Sequence, residues 1–248
     1  MKLFENDVFD EIDDLDFLKY NNIKDLCRAT RNRIESGKIK FKESRAPKDT
    51  WKPFHITVNE LSSADIGFPI RNALIASNDE LQTGIYGVNL YYVIPDNGYT
   101  MYYNPSVRDM TIRYDVFKGN VRNTLWNIIN AVISENNQYN YQPLHTAIYR
   151  FIESYDGNMV DSIGEIDQVI TNSLELLGRE QQEIVGARKD DIMTDVTKYI
   201  SFLNDEAKSY VSGLRKINKI SDAGEFMGEF MIYTPNGFYL IHSDDVPE

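Results

Sequence analysis

Two Asn-Gly dipeptides constrain this chain more than anything else in it. One lies in Ile94-Pro95-Asp96-Asn97-Gly98-Tyr99, the other in Thr234-Pro235-Asn236-Gly237-Phe238. Asn and Gly tolerate the positive φ of a tight reversal, and the nearby proline stiffens the entry. Apolar and tyrosine-rich runs flank both. The pattern predicts two β-hairpins, with strands at 85–94 and 99–103 around the first turn and at 230–233 and 238–242 around the second. These two turns are the only internal repetition that stands out.

The rest of the chain mixes both periods. Residues 1–20 are acidic, and Phe9, Ile12 and Leu15 suit a short amphipathic helix. The alternative is an arm that orders on a partner. Ile23, Leu26, Cys27 and Ile34 have helical spacing, with Gly37 as the stop. Residues 38–42 alternate like an edge strand whose lysines discourage further pairing. Residues 44–53 read as a loop, 54–58 as a strand, and 62–76 as holding a short helix interrupted at Gly67 and Pro69. In 109–117 Met110, Ile112, Tyr114 and Val116 alternate, which predicts a strand. Val121, Leu125, Ile128, Ile129, Val132 and Ile133 then mark an amphipathic helix. After a loop at 136–142, Pro143 opens another, ending near Tyr155.

From 159 to 220 the three-four spacing is sustained. Ile163, Ile166, Ile170, Leu174, Leu177 and Ile184 form one seam; Ile192, Val196, Tyr199, Leu203, Ala207, Tyr210, Leu214 and Ile217 form another. The register slips around 186–191. One helix of that length would run about 90 Å, so two antiparallel helices, or one kinked helix, are expected. The fold class is therefore α+β: a strand-rich middle with hairpins, amphipathic helices before and after it, and a long helical region closed by a hairpin. The division expected is an α+β domain at 1–156, with its acidic N-terminal arm, and the helical region plus hairpin at 157–248.

Composition narrows the function classes. A hydrophobic content of 42% with 16 tyrosines and 12 phenylalanines is enough for a core, with tyrosines either on strand faces or at wet contact surfaces. Net charge is −12, which disfavours sequence-specific nucleic-acid binding. The one basic cluster comprises Arg28, Arg31, Arg33, Lys38, Lys40, Lys42, Arg45, Lys48 and Lys52. It is either a solvated helix end and edge strand or a contact for an acidic partner, such as the segment from Glu5 to Asp16 of a neighbouring copy. The single cysteine, Cys27, excludes an internal disulfide and a cysteine zinc site and reads as a buried free thiol. No apolar run approaches a membrane span, and the start has no signal-peptide pattern, so no membrane partner and synthesis in a reducing cytoplasm are expected.

No constellation names a reaction. Phe54-His55-Ile56-Thr57-Val58 looks like one half of the two-histidine phosphoesterase signature, in which paired His-x-Thr/Ser strands trade protons around a phosphate. The other histidines, His145 and His242, lack the hydroxyl two residues on. Asp13, Asp14 and Asp16, or Asp190, Asp191 and Asp195, could gather round a hard cation, but a solvated acidic surface is the simpler reading. There is no nucleophile elbow, no P-loop and no His-Glu-x-x-His, and Gly84-x-x-Gly87 is too little to cradle phosphate. No catalytic, cofactor or metal residue is assigned, and a non-enzyme is expected.

A helical body at 121–155 and 159–220 with hairpins at 85–103 and 230–242, in an Asn/Tyr/Asp/Ile-rich, Ala-poor chain, resembles the head–tail connector or neck proteins of tailed phages. The resemblance is one of organisation, and no residue role comes with it. It implies a ring-forming homo-oligomer of the virion that contacts other virion or host proteins. Its acidic lumen would let DNA slide without sticking. The alternatives are a small acidic host-interaction or regulatory protein, and a phosphoesterase-like enzyme using His55.

Overall fold

The computed structural model describes residues 5–41, 52–133 and 141–246. Most of the loops read at 44–53 and 136–142, with Lys42, Arg45 and Lys48, lies outside these residues. The fold is α+β. The chain divides into two compact units that interleave along the sequence: Met1–Ala46, Pro69–Met110 and Ser212–Glu248 form one, and Pro47–Phe68 and Thr111–Val211 the other. Asp156-Gly157 falls inside the second unit.

The first unit is built on an eight-stranded antiparallel sheet. Its strands are β1 (Cys27–Thr30), β2 (Gly37–Ile39), β3 (Leu74–Ser77), β4 (Asn89–Pro95), β5 (Thr100–Tyr103), β6 (Arg215–Ile217), β7 (Glu229–Tyr233) and β8 (Phe238–His242), in the order β2-β8-β4-β1-β3-β7-β5-β6. Both Asn-Gly dipeptides lie in the short turns that join successive strands, with Gly98 at φ 81° and Gly237 at φ 102°. The strands pair across the two turns rather than within each: β4 with β8, and β5 with β7. The turn after β4 must therefore cross four places in the strand order, about 19 Å in a flat sheet. Five Cα steps from Pro95 to Thr100 reach roughly 18 Å at most. The sheet must curl, and its inner faces meet in one core of Tyr91, Val93, Met101, Tyr103, Phe230, Ile232 and Leu240, among others.

The curled sheet is internally two-fold. The half β2-β8-β4-β1 is answered by β6-β5-β7-β3, and the halves join through Cys27 opposite Ser77. Superposing Gly98 on Gly237 matches Tyr91 with Phe230, Val93 with Ile232, Tyr99 with Phe238 and Met101 with Leu240. The repetition thus extends from the turns into the strands. At the tips Asn236 Nδ2 donates to the Asn97 carbonyl at 2.8 Å, and Asp96 N–H to the Gly237 carbonyl at 3.1 Å. The acidic start packs within its own chain. After α1 (Glu5–Ile12), Ile12, Leu15 and Phe17 are buried in the sheet core, and Asp16 N–H donates to Asn97 Oδ1.

The second unit is helical: α2 (Lys52–Ile66), α4 (Met110–Ile133), α5 (Gln142–Ser154), α6 (Met159–Leu174), α7 (Arg179–Ala187) and α8 (Lys189–Ser212). Helix α3 (Glu80–Thr83) belongs to the sheet unit. Ile166, Ile170, Ile192, Val196, Leu203 and Ala207 are buried, as the seam predicts, and Ile200 joins them. The seam breaks twice, at 175–178 and at Arg188; its last members, Leu214 and Ile217, belong to the sheet unit, with Ile217 in β6. Among the described residues no helix is long and apolar enough to cross a membrane.

Several elements differ from the sequence reading, among them β3, whose residues 74–76 fall in the stretch read as holding a short helix. The helix expected around 23–34 is strand β1, because Cys27 to Thr30 find ladder partners in Tyr92 to Asn89. The strand expected at 54–58 is the first half of α2. Pro53 stands in its first turn, where a missing N–H costs nothing, and the Thr57 hydroxyl folds back onto the Pro53 carbonyl at 2.8 Å. The strand expected at 109–117 is the start of α4. There, period-two alternation at four positions misled, because a helix also accepts apolar residues in such a run.

Candidate interaction site

Helix α3 and the residues after it face the wrong way round for an ordinary surface turn. Asp79 caps the helix, its carboxylate accepting from Leu81 N–H at 3.0 Å and Gln82 N–H at 3.1 Å. The polar side chains are then tied down by hydrogen bonds, with Thr83 buried, Gln82 half-buried and Glu80 and Tyr86 exposed. Thr83 Oγ1 lies 3.2 Å from Cys27 Sγ and donates to the Asp79 carbonyl at 2.8 Å. Gln82 Nε2 donates to Asp109 Oδ2 at 2.8 Å, and the Tyr86 hydroxyl donates to the same oxygen at 2.5 Å. Glu80 Oε1 accepts from the Tyr92 hydroxyl at 3.0 Å. The apolar side chains are left outside: Leu81 is 91% exposed, Ile85 69% and Val88 90%.

The electrostatics suit a fixed scaffold better than a reactive centre. Burial pushes the Cys27 thiol up to about 11 despite the Thr83 hydroxyl beside it, so the nucleophilic thiolate is scarce at neutral pH. Burial, and then the Glu80 carboxylate, raise the Tyr92 phenol. Asp109 is buried and holds two hydrogen bonds from α3 and its following turn, pinning that segment from below. The result is a stapled platform with an apolar outer face.

The residues singled out from sequence are dispersed. His55 and Thr57 stand two apart on α2, roughly 200° around the helix. Thr57 is committed to packing, since its hydroxyl also accepts from Met159 N–H at 2.9 Å. His55 Nε2 meets Asn59 Nδ2 at 3.0 Å. His145 is buried on α5, with Nε2 3.1 Å from the Arg122 carbonyl and Trp126 edge-on to its ring. Asp13 and Asp14 are exposed, and Asp16 pairs with Lys19 at 2.8 Å. Asp191 pairs with Arg188 at 3.5 Å and Asp195 with Lys198 at 2.9 Å. These four line an open groove of about 430 Å³ with Ala131, Val132 and Thr194. Among the described residues no three His, Cys, Asp or Glu side chains could share a metal. The basic cluster is partly neutralised within the chain: Arg33 by Asp244, Lys38 by Asp96 and Lys52 by Asp156.

One grouping escaped the sequence reading. Ser36, His242, Asp244 and Asp245 meet beside Tyr91. The Ser36 hydroxyl accepts from His242 N–H at 2.8 Å and donates to Asp245 at 2.5 Å, while Asp244 N–H donates to His242 Nδ1 at 3.2 Å. The serine proton goes to a carboxylate rather than to the imidazole, so the group clasps the C-terminal turn to β2 and activates no nucleophile. The exposed apolar triplet was missed for a different reason. Sequence reading placed Ile85 and Val88 inside a strand, where alternation would have buried one of them. No family model matches this chain, and no curated protein and no solved structure resembles it significantly.

Proposed function

We propose that the protein is a structural, assembly component that works by contact with other protein chains. The form we favour is a ring-forming homo-oligomer of a phage virion connector or tail. One observation carries this reading: Leu81, Ile85 and Val88 lie exposed on a segment whose polar side chains Glu80, Gln82 and Thr83 are hydrogen-bonded within the chain. Burying each such side chain is worth about 1.5–3 kcal/mol, so their joint exposure on a stapled platform favours a covering partner. The long helical seam adds nothing to the case, because the chain closes it internally. The acidic balance agrees with a lumen that does not hold DNA.

Native mass across a concentration series tests the reading. The wild-type protein is expected to run above the 28.7 kDa protomer. The double variant Leu81→Ser, Val88→Ser should return to protomer mass with an unchanged thermal melt. A wild-type protein that stays at protomer mass throughout would reject the homo-oligomer and favour the acidic regulatory protein instead.

A further inference from the structure

The sheet has two edges, β2 and β6, and they occupy equivalent places in its two halves. Their chemistry differs. On β2, Lys38 Nζ sits 2.5 Å from Asp96 Oδ2 and 5.4 Å over the Tyr239 ring, so its charge is spent within the chain. On β6, Arg215 and Lys216 are both exposed, and neither makes an ion pair with any described residue. Lys219 follows, exposed, 5.0 Å over the ring of the exposed Tyr20. Just beyond β6 the edge is closed. The Asn218 carbonyl accepts from Asn21 Nδ2 at 3.3 Å and from the Tyr99 hydroxyl at 3.0 Å, and Asn21 Oδ1 takes Ile220 N–H at 2.7 Å. The open stretch is thus short, bounded and cationic, in a chain whose net charge is −12.

We propose that the β6 edge is a docking site for an extended acidic segment of a partner protein, which adds to the sheet as a further strand. An edge strand carries unpaired backbone donors and acceptors on its outer side, and strand addition uses them for affinity while side chains supply selectivity. Here Arg215, Lys216 and Lys219 select carboxylates. The same three cations repel the β6 edge of a second copy, so edge-to-edge self-pairing is disfavoured. A long polyanion such as single-stranded DNA fits less well, because it meets the field of the whole acidic molecule while a short strand meets only its edge. This site lies on a different surface from the α3 platform, so it stands or falls separately from the native-mass result.

Fluorescence anisotropy with a labelled, capped peptide of alternating glutamate and valine tests the site. Three comparison probes are needed: the lysine–valine counterpart, the glutamate–valine peptide with alternate backbone nitrogens methylated, and oligo-dT. The glutamate–valine peptide is expected to bind and to weaken as salt rises from about 50 to 200 mM. Methylation, which keeps every charge but removes strand hydrogen bonds, should weaken it by about tenfold or more. Arg215→Glu, Lys216→Glu should do the same without moving the thermal melt; should that variant unfold, Arg215→Gln, Lys216→Gln takes its place. Absence of binding, equal binding of the methylated peptide, equal or tighter binding of oligo-dT, or binding that ignores both pairs of substitutions would each overturn the proposal.

Discussion

The helical unit is assembled from two separate stretches of chain, and Thr57 makes the buried bond between them, beside the exposed contacts of Lys52 with Asp156 and of Asn158 with Glu60. Its hydroxyl, on a residue 3% exposed, donates to the Pro53 carbonyl at 2.8 Å and accepts the first N–H of α6, from Met159, at 2.9 Å. That N–H has no partner inside its own helix, since the first four donors of any helix are orphans. The Asn158 cap serves a different one, Asp161 N–H at 3.0 Å. Thr57→Val keeps the shape and removes the acceptor. Met159 is fully buried, so no water replaces it, and the cost is that of a stranded donor, about 1–3 kcal/mol. Thr57→Ser keeps the hydroxyl and loses one methyl, roughly 0.8 kcal/mol. At about 2–4 °C per kcal/mol for a chain of this size, Val should lower the melting temperature by some 2–12 °C and Ser by no more than about 3 °C.

The assay is thermal unfolding followed by helical circular dichroism on the wild type and both variants. The order is the point. A packing-only role for Thr57 predicts that Val, the larger apolar residue, is at least as stable as wild type. A Val variant that melts at or above the wild type would show that the bond between α2 and α6 contributes nothing, and the docking of the two stretches would need another cause.

Gly237 has φ 102°, and a Cβ there would stand 2.6 Å from the Ile39 carbonyl, while at Gly98 the nearest atom is the flexible Asn236 amide at 3.6 Å. Gly237→Ala should therefore cost more than Gly98→Ala, by about 1 kcal/mol or more, as read from urea midpoints; equal costs would contradict the turn geometry. Because the folded-state thiol of Cys27 is raised, its contribution to stability is complete below the unfolded value of 9.0 and is lost as pH climbs through about 11. The melting temperature should fall across that window, and less steeply in Cys27→Ala. At pH 8 a thiol reagent should label Cys27 only at the rate of opening, and immediate labelling of the native protein would show that the thiol is not buried.

Local chemistry was legible in the sequence and non-local pairing was not. Asn97-Gly98 and Asn236-Gly237 announce turns because turn geometry depends on two residues. Which strands then pair depends on residues far away, and here each turn hands its second strand to the other half of the sheet. The two-fold match of Tyr91, Val93 and Met101 with Phe230, Ile232 and Leu240 was present in the sequence. It shows only when the glycines are superposed. The seam from Ile166 to Ala207 was legible because helical spacing over many turns is hard to mimic. Residues 54–58 and 109–117 were misread because a few alternating apolar residues fit either period. The α3 segment was illegible for a deeper reason: Leu81, Ile85 and Val88 look like core residues, and only the structure shows Thr83 buried in their place and Gln82 and Glu80 bonded to Asp109 and Tyr92.

The interleaving of the two units follows from where the helices enter the sheet. β5 and β6 pair antiparallel, Tyr103 opposite Arg215, so a short turn would have sufficed to join them. The chain instead departs after β5 and returns before β6 with residues 111–211 in between, and it departs again between β2 and β3 with 47–68. The sheet unit closes its core with residues from all three of its stretches, including Ile12, Leu74 and Ile232. In the helical unit, Phe54 and Val58 of α2 are buried, as are Ile166 and Val196 of the longer insertion. Exposed on the sheet unit are an apolar triplet beside a hydrogen-bonded staple and a cationic edge that makes no ion pair with the described residues. Each of these features gains on contact only with a surface of matching chemistry. That is the physical basis of the proposal that this protein works through its outer contacts.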